Sequence, residues 1–209
     1  MPPLSDDDVA VCYLCLDGGL DDDNQQLRRD CACRGTDSGF VHLSCLTNYA
    51  ATKSKGWDGH DMNEIRDPWL NCPSCHQKYQ NELRIDIATE FVSFVRQQYP
   101  RNTQMEVESL YLKLRALDNM FDRLQPVQKK EVGVTANVLL SLIDRIKGDA
   151  PLPMRYSQLK AEAYNAHGRI AFDEGTEESA RRAVIRFENQ LRVNEAISDA
   201  GGIAASKTT

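Results

Sequence analysis

Seven cysteines and one histidine hold the most specific chemistry in this sequence. In chain order they are Cys12, Cys15, Cys31, Cys33, His42, Cys45, Cys72 and Cys75, and no cysteine is left over. The spacing is C-x-x-C, fifteen residues, C-x-C, eight residues, H-x-x-C, twenty-six residues and C-x-x-C. Ligands two residues apart can turn tightly enough for both donor atoms to reach one ion, and zinc takes four such donors in a tetrahedron. Eight ligands in four pairs make two closed sites. A closed site leaves no coordination position for water or substrate, so two structural zinc ions are expected and a catalytic metal is not. One C-x-x-C alone carries little information. Two of them, with C-x-C and H-x-x-C between, point to metal. His42 gains its role from its place before Cys45. His60, His76 and His167 lack such spacing and read as surface or packing residues.

The elements that must position these ligands divide sharply along the chain. Its 209 residues leave room for one or two domains. All seven cysteines lie between positions 12 and 75. Residues 9–80 are rich in Cys, Gly and Asp and poor in long apolar patterns, so metal is expected to supply what a core cannot. Residues 1–8 are acidic and contain proline, and a disordered N-terminus is expected there. They lack the basic and apolar regions of a secretory signal. No run of eighteen apolar residues exists, so no membrane span is expected. A cytoplasmic or nuclear location follows as an expectation, and thiols stay reduced there. The net charge of −6, without a strong basic face, argues against nucleic acid as a partner.

From residue 82 onward the pattern is helical. Residues 82–99 carry Ile87, Phe91, Phe94, Val95 and Tyr99 and stop at Pro100. Residues 103–124 open with Thr103 and Glu106, a capping box. Val107, Leu110, Leu114, Leu117, Phe121 and Leu124 follow at helical steps. Pro126 suits the first turn of a third helix, with Val134, Val138, Leu142 and Ile146 as its apolar stripe and Gly148 as its stop. Residues 149–154 read as a linker. Two further helices are expected, at about 156–173 and 177–199, ending near Gly175 and Gly201. Within the finger, residues 46–54 can form a helix stopped near Gly56, and residues 56–68 read as a polar, turn-rich loop.

The ligand order, with C-x-C in the middle, resembles the RING-CH (RING-variant) zinc finger. The strings CYLCLD at 12–17, CACRGTDSGFVHLSCL from 31 and CPSCHQKY at 72–79 carry the likeness, which covers about residues 9–80. The resemblance implies a two-zinc cross-brace, with Cys12, Cys15, His42 and Cys45 on one ion and Cys31, Cys33, Cys72 and Cys75 on the other. It also implies a RING-type ubiquitin ligase, which holds a ubiquitin-conjugating enzyme and needs no catalytic side chain of its own. The docking positions fall on Leu14, Leu46, Tyr49 and Pro73, with His76 where active members often carry a cation. Tyr49 stands where a tryptophan is usual. The PHD finger, a reader of histone tails, shares the ligand order but usually has wider spacing between the third and fourth ligands, here separated only by Ala32.

Residues 156–199 resemble a tetratricopeptide-like or kinesin-light-chain-like repeat on the string AYNAHGRIAFDEGTEESARRAVIRFENQL. Gly168 fits the small position of such a hairpin, and Ala183 and Phe187 fit its second helix. The intervening loop is about three residues longer than the usual 34-residue repeat allows.

The sequence thus gives a small α+β zinc finger followed by an all-α, helical-repeat-like domain at 82–209. The expected function is a ubiquitin ligase that recruits a conjugating enzyme through the finger and a protein substrate through the helices. The alternative is a non-enzymatic adaptor or a PHD-like histone-tail reader.

Overall fold

Helices account for nearly all of the regular structure. Among the residues that the computed structural model describes (10–21, 23–31, 33, 39–57, 61–147 and 152–206) there are seven α-helices and no strand. They are α1 Leu43–Ser54, α2 Met62–Leu70, α3 Asn81–Gln98, α4 Thr103–Asn119, α5 Pro126–Lys147, α6 Met154–Asp173 and α7 Glu177–Ser206, with a 3-10 turn at Phe121–Arg123. The disordered tail expected at 1–8, His60 and the Gly148 stop lie outside the described residues. No described helix is long and apolar enough to cross a membrane.

Among the described residues, the α+β finger expected from the sequence is not shown. Its only extended pairing among the described residues is two isolated antiparallel bridges, Arg28 with Val41 and Asn71 with Lys78. The physical reason lies in the ligand turns. The amides of Cys12, Leu16, Cys72 and His76 all bond within their own turns, so they are not available to a ladder.

The chain divides into two compact units, Met1–Gln98 and Tyr99–Thr209. Helix α3, expected with the helical half, belongs to the first unit, because its apolar face packs on α1 and α2. Leu46, Ala50 and Ser54 are buried at four-residue steps on α1, as are Ile65 and Trp69 on α2. Leu83, Ile87, Phe91 and Phe94 line α3. Trp69 is 1% exposed and lies 5.2 Å from the Phe91 ring and 5.1 Å from the Phe94 ring. Its indole N–H donates to Ser54 Oγ at 2.8 Å, and that hydroxyl donates to the Ile65 carbonyl at 3.1 Å. The polar tip of the tryptophan is thus satisfied while its rings fill the core.

Helix α2 was hidden in the sequence by its polar composition and by Pro68 inside it. Asp61 caps its start by accepting from the Asn63 amide at 2.8 Å. Trp57 pins the approach, its indole N–H donating to the Asp61 carbonyl at 2.8 Å.

In the second unit α4 packs on α5, α5 on α6 and α6 on α7, and α6 also touches α4. The stripe Val107, Leu110, Leu114, Leu117, Phe121 and Leu124 is buried throughout. The cap of α4 is Asn102, whose side chain accepts from the Met105 amide at 3.1 Å, one residue ahead of the expected Thr103. On α5 the buried stripe is Val132, Ala136, Leu139 and Ile143; Val134 is 62% exposed and Val138 also faces outward. Both stripes have helical period, and Leu142 of the expected stripe is buried as well, at 2% exposed. Ion pairs tie the helices: Arg155 grips buried Glu108 through two bonds of 3.1 and 2.8 Å, and Arg169 meets Asp118 at 2.7 Å. Helix α7 does not stop near Gly201 but runs through Gly202 to Ser206.

Gly168 is the tightest point of the α6–α7 hairpin. A Cβ there would lie 2.6 Å from Phe187 Cε1. Gly168→Ala is expected to push the hairpin apart and cost about 1–3 kcal/mol by overpacking. Urea unfolding should record this as a lower midpoint for the second unit; an unchanged midpoint would show that the ring moves aside freely.

Candidate metal centre

Two turns of the same design carry the C-x-x-C pairs. In the first, the Cys12 amide donates to the Asp17 carbonyl and the Leu16 amide to the Cys12 carbonyl, both at 2.8 Å. In the second, Cys72 donates to Gln77 at 2.9 Å and His76 to Cys72 at 2.8 Å. Each turn ends on a residue in the left-handed region, Leu16 at φ 64° and His76 at φ 57°. These are unusual hosts for that conformation, which glycine normally takes. The turn brings both thiols of its pair within reach of one ion.

The other ligands come from the segments that the bridges join. The Arg28–Val41 bridge brings the approach to Cys31 beside His42, with N···O distances of 2.8 and 2.9 Å. His42 is the N-cap residue of α1, and Cys45 sits in that helix's first turn. The Asn71–Lys78 bridge closes the second turn at its base. The Gln80 amide then donates to the Asp30 carbonyl at 2.7 Å, fixing the second turn against Cys31.

The result is two groups of four donors: Cys12, Cys15, His42 and Cys45, and Cys31, Cys33, Cys72 and Cys75. Within each group the donor atoms lie within 4.8 Å of one another. A tetrahedron with zinc–sulfur arms of ~2.3 Å has edges of about 3.8 Å. Cys33 Sγ lies 3.7 Å from Cys72 Sγ, and His42 Nδ1 lies 3.4 Å from Cys15 Sγ and 3.8 Å from Cys45 Sγ. Both groups fit one zinc ion each. His42 Nε2 donates to the Gly19 carbonyl at 2.9 Å, which leaves the Nδ1 lone pair for the metal.

Thiol protonation is uneven within each group. Burial pushes the Cys12 thiol up, but backbone amides of Cys15, His42 and Leu14 outweigh it and hold the thiol at about 7. Cys72 behaves alike: burial raises it, and the amides of Cys75 and Ser74 bring it to about 7. Burial and the hydrogen bond from Cys15 push Cys45 up to about 12, helped by the charge on Cys12, and burial likewise raises Cys33. Cys12 and Cys72 are thus held low while Cys45 and Cys33 are held high. Zinc supplies the positive charge that lets the others deprotonate.

All eight sequence-assigned ligands are thus brought together, in the implied pairing. The docking positions fare unevenly. Leu14, Tyr49 and Pro73 are half-buried and His76 is exposed, so each offers surface to a partner. Leu46 is the correction: it is 0% exposed, because its place on α1 faces the core with Ala50 and Ser54. The sequence reading also missed Gly39, whose φ is 87°. A Cβ there would stand 2.9 Å from Cys33 Cβ and 3.2 Å from Cys31 Sγ. A glycine six residues after a C-x-C pair carries no signal by itself; only the fold brings it against both thiols.

Residues 12–65 match the family model of the RING-variant domain. The match takes in the first six ligands, and the structure adds Cys72 and Cys75 to complete the second group. No curated protein and no solved structure matches the chain.

Gly39→Ala tests the second group. Both the strained φ and the contact with Cys33 oppose a side chain there. The expected outcome by metal analysis is a fall from two zinc ions per chain towards one, with the group at Cys12, Cys15, His42 and Cys45 retained. Two zinc ions held as tightly as before would contradict the assignment of Gly39.

Proposed function

We propose, from the RING-variant domain at residues 12–65, that this protein is a ubiquitin ligase that binds a charged ubiquitin-conjugating enzyme through its zinc finger and a protein substrate through helices α4–α7. The observation that carries the reading is the closure of both metal groups inside such a domain. Four protein donors leave zinc no position for water or substrate, so the metal shapes a surface and does no chemistry. RING-type domains generally bind conjugating enzymes, and transfer there gains from proximity and orientation. The thioester on the conjugating enzyme supplies the reactive bond, and the attacking amine comes from the substrate lysine.

Leu14, Tyr49 and Pro73 would provide the shallow apolar groove, with His76 at its rim. Leu46 is excluded by its burial and would support α1 from beneath. A groove of this size suits a weak, transient interface, as repeated exchange of spent for charged enzyme requires. The two-unit division supports a separate recruiting surface beyond Gln98.

Autoubiquitination with a panel of conjugating enzymes tests the proposal. Wild-type chain with two zinc ions should build ubiquitin chains, and Cys72→Ser should not. Leu14→Glu and Pro73→Glu should each cut the rate at least about tenfold with zinc content unchanged, as loss of an interface anchor does. Full activity in both variants would overturn the groove assignment. Full zinc occupancy without activity towards any panel member would overturn the ligase reading in favour of a non-enzymatic adaptor.

A further inference from the structure

The α6–α7 hairpin carries a cleft that the metal centre does not use. Its volume is about 290 Å3, and His167, Ile170, Ala171, Glu174, Arg182 and Arg186 line it with Ile185. Ligand clefts usually run from ~300 Å3 upward, so this one suits one or two side chains and not a cofactor. Arg182 is held by Glu174. Arg186, four residues on and on the same face, has no carboxylate partner among the described residues. Beneath them, His167 Nδ1 is buried without a hydrogen-bond partner. Burial, together with the Arg186 and Arg182 charges, holds this imidazole below its ordinary value and hence neutral. The cleft thus offers one unpaired cation, a second cation shared with a single carboxylate, and an unfilled polar position. Its apolar part is Ile170, Ala171 and Ile185, with Ile185 55% exposed.

The charge is notable on a chain whose net charge is −6. The lining sets two guanidiniums, Arg182 and Arg186, against the single Glu174 carboxylate, a positive balance that favours an anionic group there. An inorganic anion would satisfy the arginines and leave the isoleucines wet. A side chain that is acidic, beside one that is aliphatic, satisfies both.

We propose that the cleft between α6 and α7 binds an acidic peptide segment of a partner protein, with a carboxylate on Arg186 and an adjacent aliphatic side chain on Ile170 and Ile185. The proposal rests on the reading of the helical unit as the recruiting half of the protein and names the class of segment it recruits. Arg182 assists by sharing its guanidinium between Glu174 and the incoming carboxylate.

The test uses the full zinc-loaded chain and a labelled pool of short peptides, each with paired glutamates flanked by leucine or isoleucine. A matched pool carries glutamine in place of glutamate. Saturable binding of the acidic pool is expected, with little of the glutamine pool retained. Arg186→Ala should weaken binding at least about tenfold, as loss of a charge-assisted contact does. Arg182→Ala should weaken it less, and Arg145→Ala, on the exposed face of α5, should leave it unchanged. No saturable binding up to about 1 mM, where affinity ceases to be specific, would overturn the proposal. So would equal binding of both pools, or binding indifferent to both cleft variants. Preference for phosphatidylserine vesicles over the peptides would reassign the cleft to a membrane surface and equally overturn it. Autoubiquitination measured on the same samples separates the two readings. Peptide binding without ubiquitin transfer would sink only the ligase; transfer without peptide binding would sink only the cleft.

Discussion

The first unit depends on two tetrahedra whose ligand-bearing segments interleave. Their donors alternate along the chain, the first group taking Cys12, Cys15, His42 and Cys45 and the second Cys31, Cys33, Cys72 and Cys75. Neither group can assemble without drawing the segment that carries part of the other into place. The bridges at Arg28–Val41 and Asn71–Lys78 and the amide bonds of the two C-x-x-C turns are what remains of backbone pairing once this is satisfied. Structural zinc in small fingers supplies on the order of 10–16 kcal/mol, enough to outweigh the left-handed backbone at Leu16 and His76.

The metal does not act alone. The long stretch between Cys45 and Cys72 folds into α1 and α2, and these lean on α3 through Trp69, Phe91 and Phe94. This aromatic cluster gives the finger a conventional core on one side, while the zinc groups organise the other. Because α2 runs directly into the bridge residue Asn71, the packing of Trp69 fixes where Cys72 begins its turn. Position of the ligands and position of the proposed docking residues Tyr49 and Pro73 therefore depend on the same core.

Legibility in the sequence followed the strength of the local constraint. Ligand spacing is a geometric requirement, and all eight donors could be read directly. Helix α4 begins at Thr103 as its apolar stripe implies, but the single helix expected to 124 ends at Asn119 and a 3-10 turn follows at Phe121–Arg123. Where the chain offered two answers, pattern alone did not choose. Helix α5 has apolar residues on both sides, and its packing against α4 and α6 decides which is buried. Helix α2 looked like a loop because its residues are polar and Pro68 interrupts it, yet Trp69 has to be buried and a helix is what buries it. Leu46 was assigned to a surface by analogy of position, and the α1 register places it inside. Gly39 was invisible because its role depends on thiols brought to it from elsewhere in the fold.

Hydrogen–deuterium exchange on the full chain, before and after zinc is removed with a chelator, tests the central account most directly. If coordination organises the whole first unit, α1, α2 and α3 will lose protection together on chelation, and α4–α7 will keep theirs. If α3 stays protected in the absence of zinc, or if α4–α7 lose protection with it, the dependence of the first unit on its two metal groups, and the division of the chain at Gln98, would both be wrong.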